Sequence, residues 1–578
     1  MGLSSSLLAP RAERFIPRRD RVLGLKLPQG ETGVVKDVSR TGLKAECSGE
    51  SENWLPGSKV ERIELTFGDE RFSVGSARVV RTESKNREGA RQALVAFEFE
   101  SPQPSLPDVL STVVQPHHYL ISELRKQNPY STEVNAYATT IDKFYSKSGA
   151  DVFAKCENFR HWMDSMLDNQ IYQRLYRLTV MGPLDNRVTV FDPTIEGQRE
   201  IICFDSNSYL GLHRHPKVIE RVVEVTREVG YGTASAQLLC GTNRYLCELE
   251  AALSELHGRE ATMVFPTGFA ANIGAINGLI RTNDAVLRDH FAHASIHEGC
   301  RSSRARFNKV FPHNDMGALD AMLAQAGEAG CDGKLVVTDG VFSMHGRIAP
   351  LPELVEVVRR RGARLMLDDA HGVGVLGESG GGIEEHFGMV GAADLLMGTL
   401  SKALGALGGY VSGSRDVINY LRFFAPSGMF TTSLPAPLCA GLIEALRLIK
   451  EEPEHRRQLW SNIRYFVPAL EAAGLIVPEA VSPITTVFMG DQGFMYRVSQ
   501  ELFDAGVKCG NVAYPAVPKG SGILRFTVNA RHTRNDLDYA IDALTRIGKK
   551  FGILHKSLDE IREIGRRVAC GSCASDAA

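Results

Sequence analysis

The sequence predicts an α/β protein. A large parallel sheet covered by helices is followed by a smaller α+β domain and preceded by a small all-β barrel. Three observations predict it. From about residue 201, short apolar runs ending in polar or glycine-rich turns alternate with amphipathic helical patterns, as in a helix-covered parallel sheet. Residues 11–104 instead carry short alternating segments separated by turn signals, the pattern of a small barrel. The chain has 578 residues, too many for one ordinary core, so two or more units are expected.

The elements follow in order. RVLGLKL, GVVKDVSRTGLKAE, KVERIELTF, RFSVGSARVVRTE and QALVAFEFE are the barrel strands, and residues 1–104 form the first domain. PQPSLP, from Pro102 to Pro107, marks its boundary. Residues 105–154 read as a helical connector, and 155–200 as a lead-in to the next domain. Both rest on the helix-like periodicity that culminates in VFAKCENFRHWMDSMLDNQIYQRLYRL. The large domain spans 201–449. Its amphipathic helices include KVIERVVEVTREVG and RYLCELEAALSELHG. Its strands include ATMVFP, DAVLRD, KLVVTDG, RLMLDDA and DLLMGTL. The small domain, 450–556, holds the strands SPITTVFMG and GILRFTVNA, and a charged, then small-residue tail covers 557–578.

Composition narrows the function. Apolar residues make up 43% and charged residues 23%, as in soluble globular chains. The net charge of -2 gives no reason to expect nucleic acid as a partner. No apolar run reaches the roughly 18 residues of a membrane span, and Ser4–Pro10 is too short for a signal peptide. The opening MGLSSS fits a short acylation pattern, so peripheral membrane association is the most that is expected. The 11 cysteines are scattered through apparent core segments, which suits a reducing, cytoplasmic setting. Cys570 and Cys573 form a lone CxxC without two further ligands. His290, His293 and His297 lack an acidic signature such as HExxH. No metal site is therefore expected.

The chemistry gathers at the strand ends, where ligands of such sheets bind. LMLDDAHG leaves Asp368, Asp369 and His371 there. LLMGTLSKALG leaves Thr399, Ser401 and Lys402, and VVTDGVFSMHG leaves Asp339 and Ser343. A Thr267-Gly268-Phe269 turn opens a helix whose free N–H groups suit a phosphate. RDHFAHASIHEG supplies the three histidines. This set suits an aromatic aldehyde cofactor bearing a phosphate. A lysine bonds the aldehyde, a helix N-terminus takes the phosphate, and a carboxylate keeps the pyridine nitrogen protonated.

Residues from about 155 to 556 resemble the α-oxoamine synthase family of pyridoxal-phosphate enzymes, which have fold type I. The segments that carry the resemblance, in order, are SNSYLGLHRHP, YGTASAQLLCGTNRYLCELE, FPTGFAANIGAINGL, HASIHEG, TDGVFSMHGRIAPL, LDDAHGVGVLG, GTLSKALGALGGY, FTTSLPAP and LRFTVNARHT. The resemblance implies pyridoxal 5'-phosphate bound covalently at Lys402. It implies Asp368 at the pyridine nitrogen, His371 at the ring's phenolic oxygen and His293 stacked on the ring. Gly268, Phe269 and Thr399 would hold the phosphate. Thr432 would reach the phosphate of the neighbouring subunit in a homodimer. Arg525 would take the substrate carboxylate, with Asn207 beside it. Asp369 is the rival to Asp368, and spacing to His371 favours Asp368. The implied reaction condenses a small amino acid with an acyl-CoA thioester to an α-amino ketone, usually with decarboxylation. An aminotransferase is the first alternative, and a catalytically silent binding or regulatory protein on this fold is the second. Gln237, Leu246 and His345 depart from residues common in the family, which leaves the amino acid and acyl chain open. The long lead-in resembles serine palmitoyltransferase. The TDGVFSM and LLCGT segments look more like glycine C-acetyltransferase and aminooxononanoate synthase.

Residues from about 11 to 104 resemble the PilZ domain, a small β-barrel that often binds cyclic di-GMP. Arg14-Phe-Ile-Pro-Arg18 fits its RxxxR signature, with Arg19 adjacent. Asp37-Val-Ser39-Arg-Thr-Gly42 fits its (D/N)xSxxG signature. Guanidinium forks match phosphate and guanine edges. The resemblance implies a cyclic di-GMP site that regulates or recruits the catalytic unit.

Overall fold

The computed structural model describes the backbone of eight strands between residues 14 and 116, and residues 136–144, 151–479 and 481–569. The chain forms two compact units, one of residues 1–139 and 143–170, the other of 140–142 and 171–578.

The strands of the first unit are β1 (Arg14–Pro17), β2 (Leu23–Lys26), β3 (Thr32–Ser39), β4 (Gly42–Ser48), β5 (Lys59–Phe67), β6 (Glu70–Arg87), β7 (Ala90–Phe99) and β8 (Val114–Pro116). They form one antiparallel sheet in the order β2-β5-β6-β7-β4-β3-β1-β8, and β2 also pairs with β3. In the β1–β3 register Arg14 lies opposite Ser39, and Ser39 in turn pairs with Gly42. Arg18, Arg19, Cys570 and Cys573 lie outside the described residues, as do Pro102–Pro107. The connector is not wholly helical as its periodicity suggested. Val114–Pro116 pairs with β1, because an unpaired sheet edge offers hydrogen bonds that local periodicity does not register. The expected helix of the lead-in is present as α1 (Ala154–Asp168).

The second unit holds two sheets. Strands β9 (Thr179–Val180), β10 (Arg187–Asp192) and β11 (Gly197–Phe204) belong to the smaller one. The large sheet is built from β12 (Ala261–Phe265), β13 (Ala285–Asp289), β14 (Phe307–Phe311), β15 (Lys334–Asp339), β16 (Arg364–Asp368), β17 (Leu395–Thr399) and β18 (Gly409–Gly413). The smaller sheet is completed by β19 (Ile484–Gly490), β20 (Val507–Val512) and β21 (Gly522–Thr527). Its order is β19-β21-β20-β11-β10-β9, so strands from the lead-in pair with the C-terminal domain. The alternation of RVTVFD fits β10 better than a helix.

The large sheet runs β12-β18-β17-β16-β15-β13-β14. It is mixed, not wholly parallel: β18 is antiparallel to both β17 and β12. Only an antiparallel return can be made by so short a link as residues 400–408, since parallel crossovers need a dozen residues or more. That link carries Lys402. Among the helices packed around the sheets are α2 (Pro216–Val229), α3 (Gly268–Leu279), α4 (Ala294–Ser302), α5 (Ala436–Glu451) and α6 (Glu454–Ala472). Apolar side chains of β12, β13 and β15–β18 pack against α3 and α4 in one buried core that includes Phe265, Ile276, Ile296, Met366 and Val411. This core fixes the strand ends and the start of α3 as one rigid rim.

Candidate active site

A cavity of about 200 Å³ opens at the carboxyl ends of the large sheet. Among its lining residues are ten that the sequence singles out: Thr267, Gly268, Phe269, His293, Asp339, Asp368, His371, Thr399, Ser401 and Lys402. A larger cleft, about 530 Å³, lies beside Arg456, Arg457 and Trp460 and contains none of the candidate residues.

Strand geometry decides between the two neighbouring aspartates. Asp368 ends β16 and lines the cavity. Its Oδ2 accepts a hydrogen bond from Asn272 Nδ2 at 2.7 Å, and its Oδ1 accepts one from the Ala370 N–H at 3.0 Å. Successive side chains of a strand face opposite ways, and Asp369 does not line the cavity. Its Oδ2 accepts the Ile383 N–H at 2.8 Å, while Oδ1 is buried without a hydrogen-bond partner. Burial, reinforced by Asp368 and Glu384, raises the Asp369 carboxyl well above the usual range, which disfavours its charged form.

Lys402 reaches the same cavity from the β17–β18 link. It touches solvent through the mouth but is crowded by protein elsewhere, and burial pushes its ammonium down to about 8. Asp368 and Asp339 pull the other way, and Arg525 adds to the lowering. A lysine so tuned gains its neutral amine as pH rises through about 8, well below the usual lysine range. Asp339 ends β15 opposite Asp368 in the register. Burial, then the Asp368 charge, raises its carboxyl well above normal.

His293 caps α4, accepts from the Ser295 N–H through Nδ1 and places its own N–H on Asp339 Oδ1 at 2.9 Å. Burial lowers its pKa, and Lys402 adds to this, against the pull of Asp368. His371 is bonded at Nδ1 by the Tyr209 hydroxyl. Burial, then the charges of Lys402, Arg525 and His293, holds it well below the usual histidine range and therefore neutral.

The rim at the start of α3 is shaped by close approach. The Thr267 hydroxyl caps α3 by accepting the Ala270 N–H at 3.0 Å, which leaves the Gly268 and Phe269 N–H groups at the free start of the helix. A Cβ on Gly268 would come within 2.9 Å of Met397 Cε and 3.1 Å of Thr399 Oγ1. A Cβ on Gly409 would overlap the Gly268 backbone. Glycines thus let the helix start seat against β17 and β18, beside the Thr399 and Ser401 hydroxyls, which are 2.9 Å apart. Free N–H groups, two hydroxyls, a neutral-prone lysine and a fixed carboxylate fit a phosphorylated pyridine aldehyde at every end.

Arg525, on β21, is buried and donates to Ser343 O at 2.8 Å, Thr527 Oγ1 at 3.1 Å and Asn207 Oδ1 at 3.1 Å. The two expected substrate residues therefore meet. Thr432 is exposed, pairs through its backbone with Ala236 and does not line the cavity of its own chain.

Residues 199–544 match the family described as Aminotransferase class I and II. The chain belongs to that family. It is an enzyme, and it stands close to the α-oxoamine synthases. It is 38% identical over 393 residues to 8-amino-7-oxononanoate synthase 1 of Bacillus subtilis, covering 68% of this chain and 97% of that protein. It is also 38% identical over 415 residues to 4-hydroxy-2,2'-bipyrrole-5-methanol synthase PigH of Serratia sp.. That match takes in 72% of this chain and 63% of PigH, so the chain spans less than two thirds of that relative. Among solved structures it resembles a serine palmitoyltransferase of S. paucimobilis with a bound PLP–myriocin aldimine. The TM-score is 0.66 at 29% identity, over 70% of this chain and all of that one.

Sequence reasoning missed several parts of this aminotransferase-family site. Asn272 anchors Asp368, Ser295 bonds both Asn272 and His293, and Tyr209 orients His371. Of the two asparagines in the apolar helix FAANIGAINGL, Asn272 falls among its buried positions, and an amide in so apolar a segment was the available signal for the first. The three departures from the family pattern sit away from the cavity lining. Gln237 is buried and donates to Val264 O at 2.8 Å, and Leu246 is buried. His345 packs among Phe291, His313 and Phe342, where burial pushes it down to about 4.

Proposed function

We propose that this enzyme condenses a small amino acid with an acyl-CoA thioester to give an α-amino ketone, usually with loss of carbon dioxide. The observation that carries the reading is the convergence of Lys402, Asp368, His371 and His293 on one cavity beside the start of α3. The kinship with 8-amino-7-oxononanoate synthase and serine palmitoyltransferase supports it. Its cofactor is pyridoxal 5'-phosphate, which when bound supplies an electron sink for negative charge at the amino acid's Cα.

The residues then have distinct tasks. Lys402 bonds the cofactor and, once displaced, takes the Cα proton with its neutral amine. Asp368 keeps a proton on the ring nitrogen. Neutral His371 donates to the phenolic oxygen, and His293 covers one face of the ring. The Gly268 and Phe269 N–H groups and the Thr399 hydroxyl hold the phosphate, and Thr432 reaches that of the neighbouring subunit. Arg525 binds the substrate carboxylate, with Asn207 fixing its fork. The new C–C bond forms at the acyl carbonyl, the thiolate leaves and takes a proton, and carbon dioxide departs when the carboxylate is lost.

Cofactor-loaded protein given glycine, alanine or serine, crossed with short and long acyl-CoAs, is expected to release free thiol. No thiol and no exchange of the Cα proton across the whole panel would refute the condensation. A 2-oxo acid formed without thiol would instead identify an aminotransferase.

The enzyme is proposed to divide at residues 104, 154, 200, 449 and 556 and to reside in the cytoplasm. Among the described residues no helix is long and apolar enough to cross a membrane. A homodimer is expected to form, because FTTSLPAP matches a segment that crosses the subunit interface in the family and two-fold closure is the usual homodimer symmetry. A fully active monomer in sedimentation would overturn it.

The PilZ-like reading of the front domain is supported by the register of β1 and β3, which sets Arg14 opposite Ser39, itself paired with Gly42. Arg14, Arg18, Arg19, Asp37, Ser39 and Gly42 would then bind cyclic di-GMP. Arg18→Ala is expected to weaken binding roughly tenfold to over a hundredfold, the loss of one charge-assisted contact. Calorimetry on the full chain tests this. Unchanged affinity in Arg14→Ala and Arg18→Ala would remove the assignment. Binding that leaves turnover unaltered would point to recruitment instead of regulation.

A further inference from the structure

We propose that His215, Glu452 and His455 form a binding site for one divalent transition-metal ion, with zinc the best match, on the second unit. The three residues come from three helix ends. His215 is the N-cap of α2, Glu452 the C-cap of α5, and His455 lies in the first turn of α6. None of them lines the active-site cavity.

Their donor atoms converge within 4.8 Å of one another. Glu452 Oε2 lies 3.6 Å from His215 Nε2 and 3.3 Å from His455 Nε2. The His455 contact is a long hydrogen bond and the His215 contact lies beyond hydrogen-bond reach, since such bonds run about 2.7–3.2 Å. The two distances match the edge of a tetrahedron around zinc, about 3.3–3.5 Å when the bonds are about 2.0–2.2 Å. The two imidazole planes meet at 85° with centroids 5.8 Å apart, so the rings converge edge to face and do not stack.

A second observation points the same way. His215 has a side chain only 18% exposed, yet its buried Nδ1 has no hydrogen-bond partner. Its Nε2 has only the 3.6 Å approach to Glu452. A metal would take up the lone pair of Nε2, the nitrogen that faces Glu452; Nδ1 lies on the other side of the ring and is no part of the site. Lys217 Nζ donates to Glu452 Oε1 at 2.7 Å. It occupies the second carboxylate oxygen and holds Oε2 towards the histidines, as outer partners of metal ligands do. The same ammonium repels a dication, so the site will bind more weakly than a closed four-ligand centre. Two imidazoles and one carboxylate suit zinc and its neighbours over magnesium or calcium. Glu452 and His455 keep about a third of their side chains exposed, at 30% and 31%, which leaves the fourth position to water. A bound ion would tie the start of α2 to the α5–α6 junction.

The test uses untagged, cofactor-loaded full-length protein, stripped with a chelator and titrated with zinc chloride by calorimetry. Cobalt(II), followed by visible absorption, is the second probe. The expected result is one equivalent of zinc that magnesium does not displace. Cobalt should give tetrahedral bands without the near-ultraviolet absorption of a thiolate ligand. His455→Ala and Glu452→Gln should each weaken binding more than about tenfold. Both positions are at a helix end, and circular dichroism and cofactor absorbance check that the fold persists. No binding by the wild type would overturn the proposal. So would unchanged stoichiometry and affinity in both variants, which would place the ion on cysteines or elsewhere.

Discussion

Lys402→Ala is expected to abolish turnover and the visible absorbance of covalently held cofactor while leaving the fold intact. The side chain lies on a short link between two core strands, and its removal empties part of a cavity that already opens to solvent. The chemical loss is large for two reasons. The amine is the nucleophile that bonds the cofactor, and in the proposed reaction it also carries the Cα proton. Proton transfer by a positioned side chain alone contributes about 10²–10⁴-fold, so kcat should fall at least that far. Thiol release measures the rate, and borohydride reduction measures the covalent link. Retained reducible absorbance in Lys402→Ala would move the role to another amine.

The same lysine predicts a pH dependence. The neutral amine is the reactive form, and burial lowers its pKa from 10.5 to about 8. Its population therefore grows as pH rises through about 8 and is nearly complete a unit above. Capture of cofactor by the apoenzyme should accelerate over that window and then level off. A rate still climbing towards pH 10.5 would mean that the pocket does not tune this group.

Asp368→Asn is expected to lower kcat about 10²–10³-fold, the range for removing one preorganised electrostatic partner. Asp369→Asn should cost far less. Asp368 lines the cavity and is fixed by Asn272 and the Ala370 N–H. The amide keeps its shape but loses the charge that favours a protonated ring nitrogen. Asp369 faces away from the cavity and burial disfavours its charged form, so the amide, a near match in size, removes little that the site uses. Kinetics of the two variants side by side, with thermal stability as a control for packing, separate the roles. Equal losses of kcat at equal stability would defeat the assignment of Asp368.

Much of this was legible along the chain. The apolar runs of ATMVFP, DAVLRD, KLVVTDG, RLMLDDA and DLLMGTL mark five strands of the large sheet, because burial on both faces demands such runs. Their polar endings placed Asp368, His371, Thr399 and Lys402 on one rim, and TGFAANIG marked the helix start that meets them. These are local signals, and local chemistry enforces them: periodicity, a cap, a glycine where a Cβ has no room.

What the tertiary structure alone decided depends on neighbours through space. Spacing to His371 favours Asp368 over Asp369 along the chain, but only the strand's orientation against α3 sends one side chain to the cavity and the other to the core. The antiparallel course of β18 follows from the shortness of the Lys402 link, and the GGYVSG segment does not announce it. Strands near residue 190 join a sheet whose other half begins near 484, a pairing no window of sequence can contain. Arg525 and Asn207, and likewise His215, Glu452 and His455, become groups only when distant helix and strand ends are packed together. Side-chain type is written locally, but convergence is set by which apolar faces bury each other.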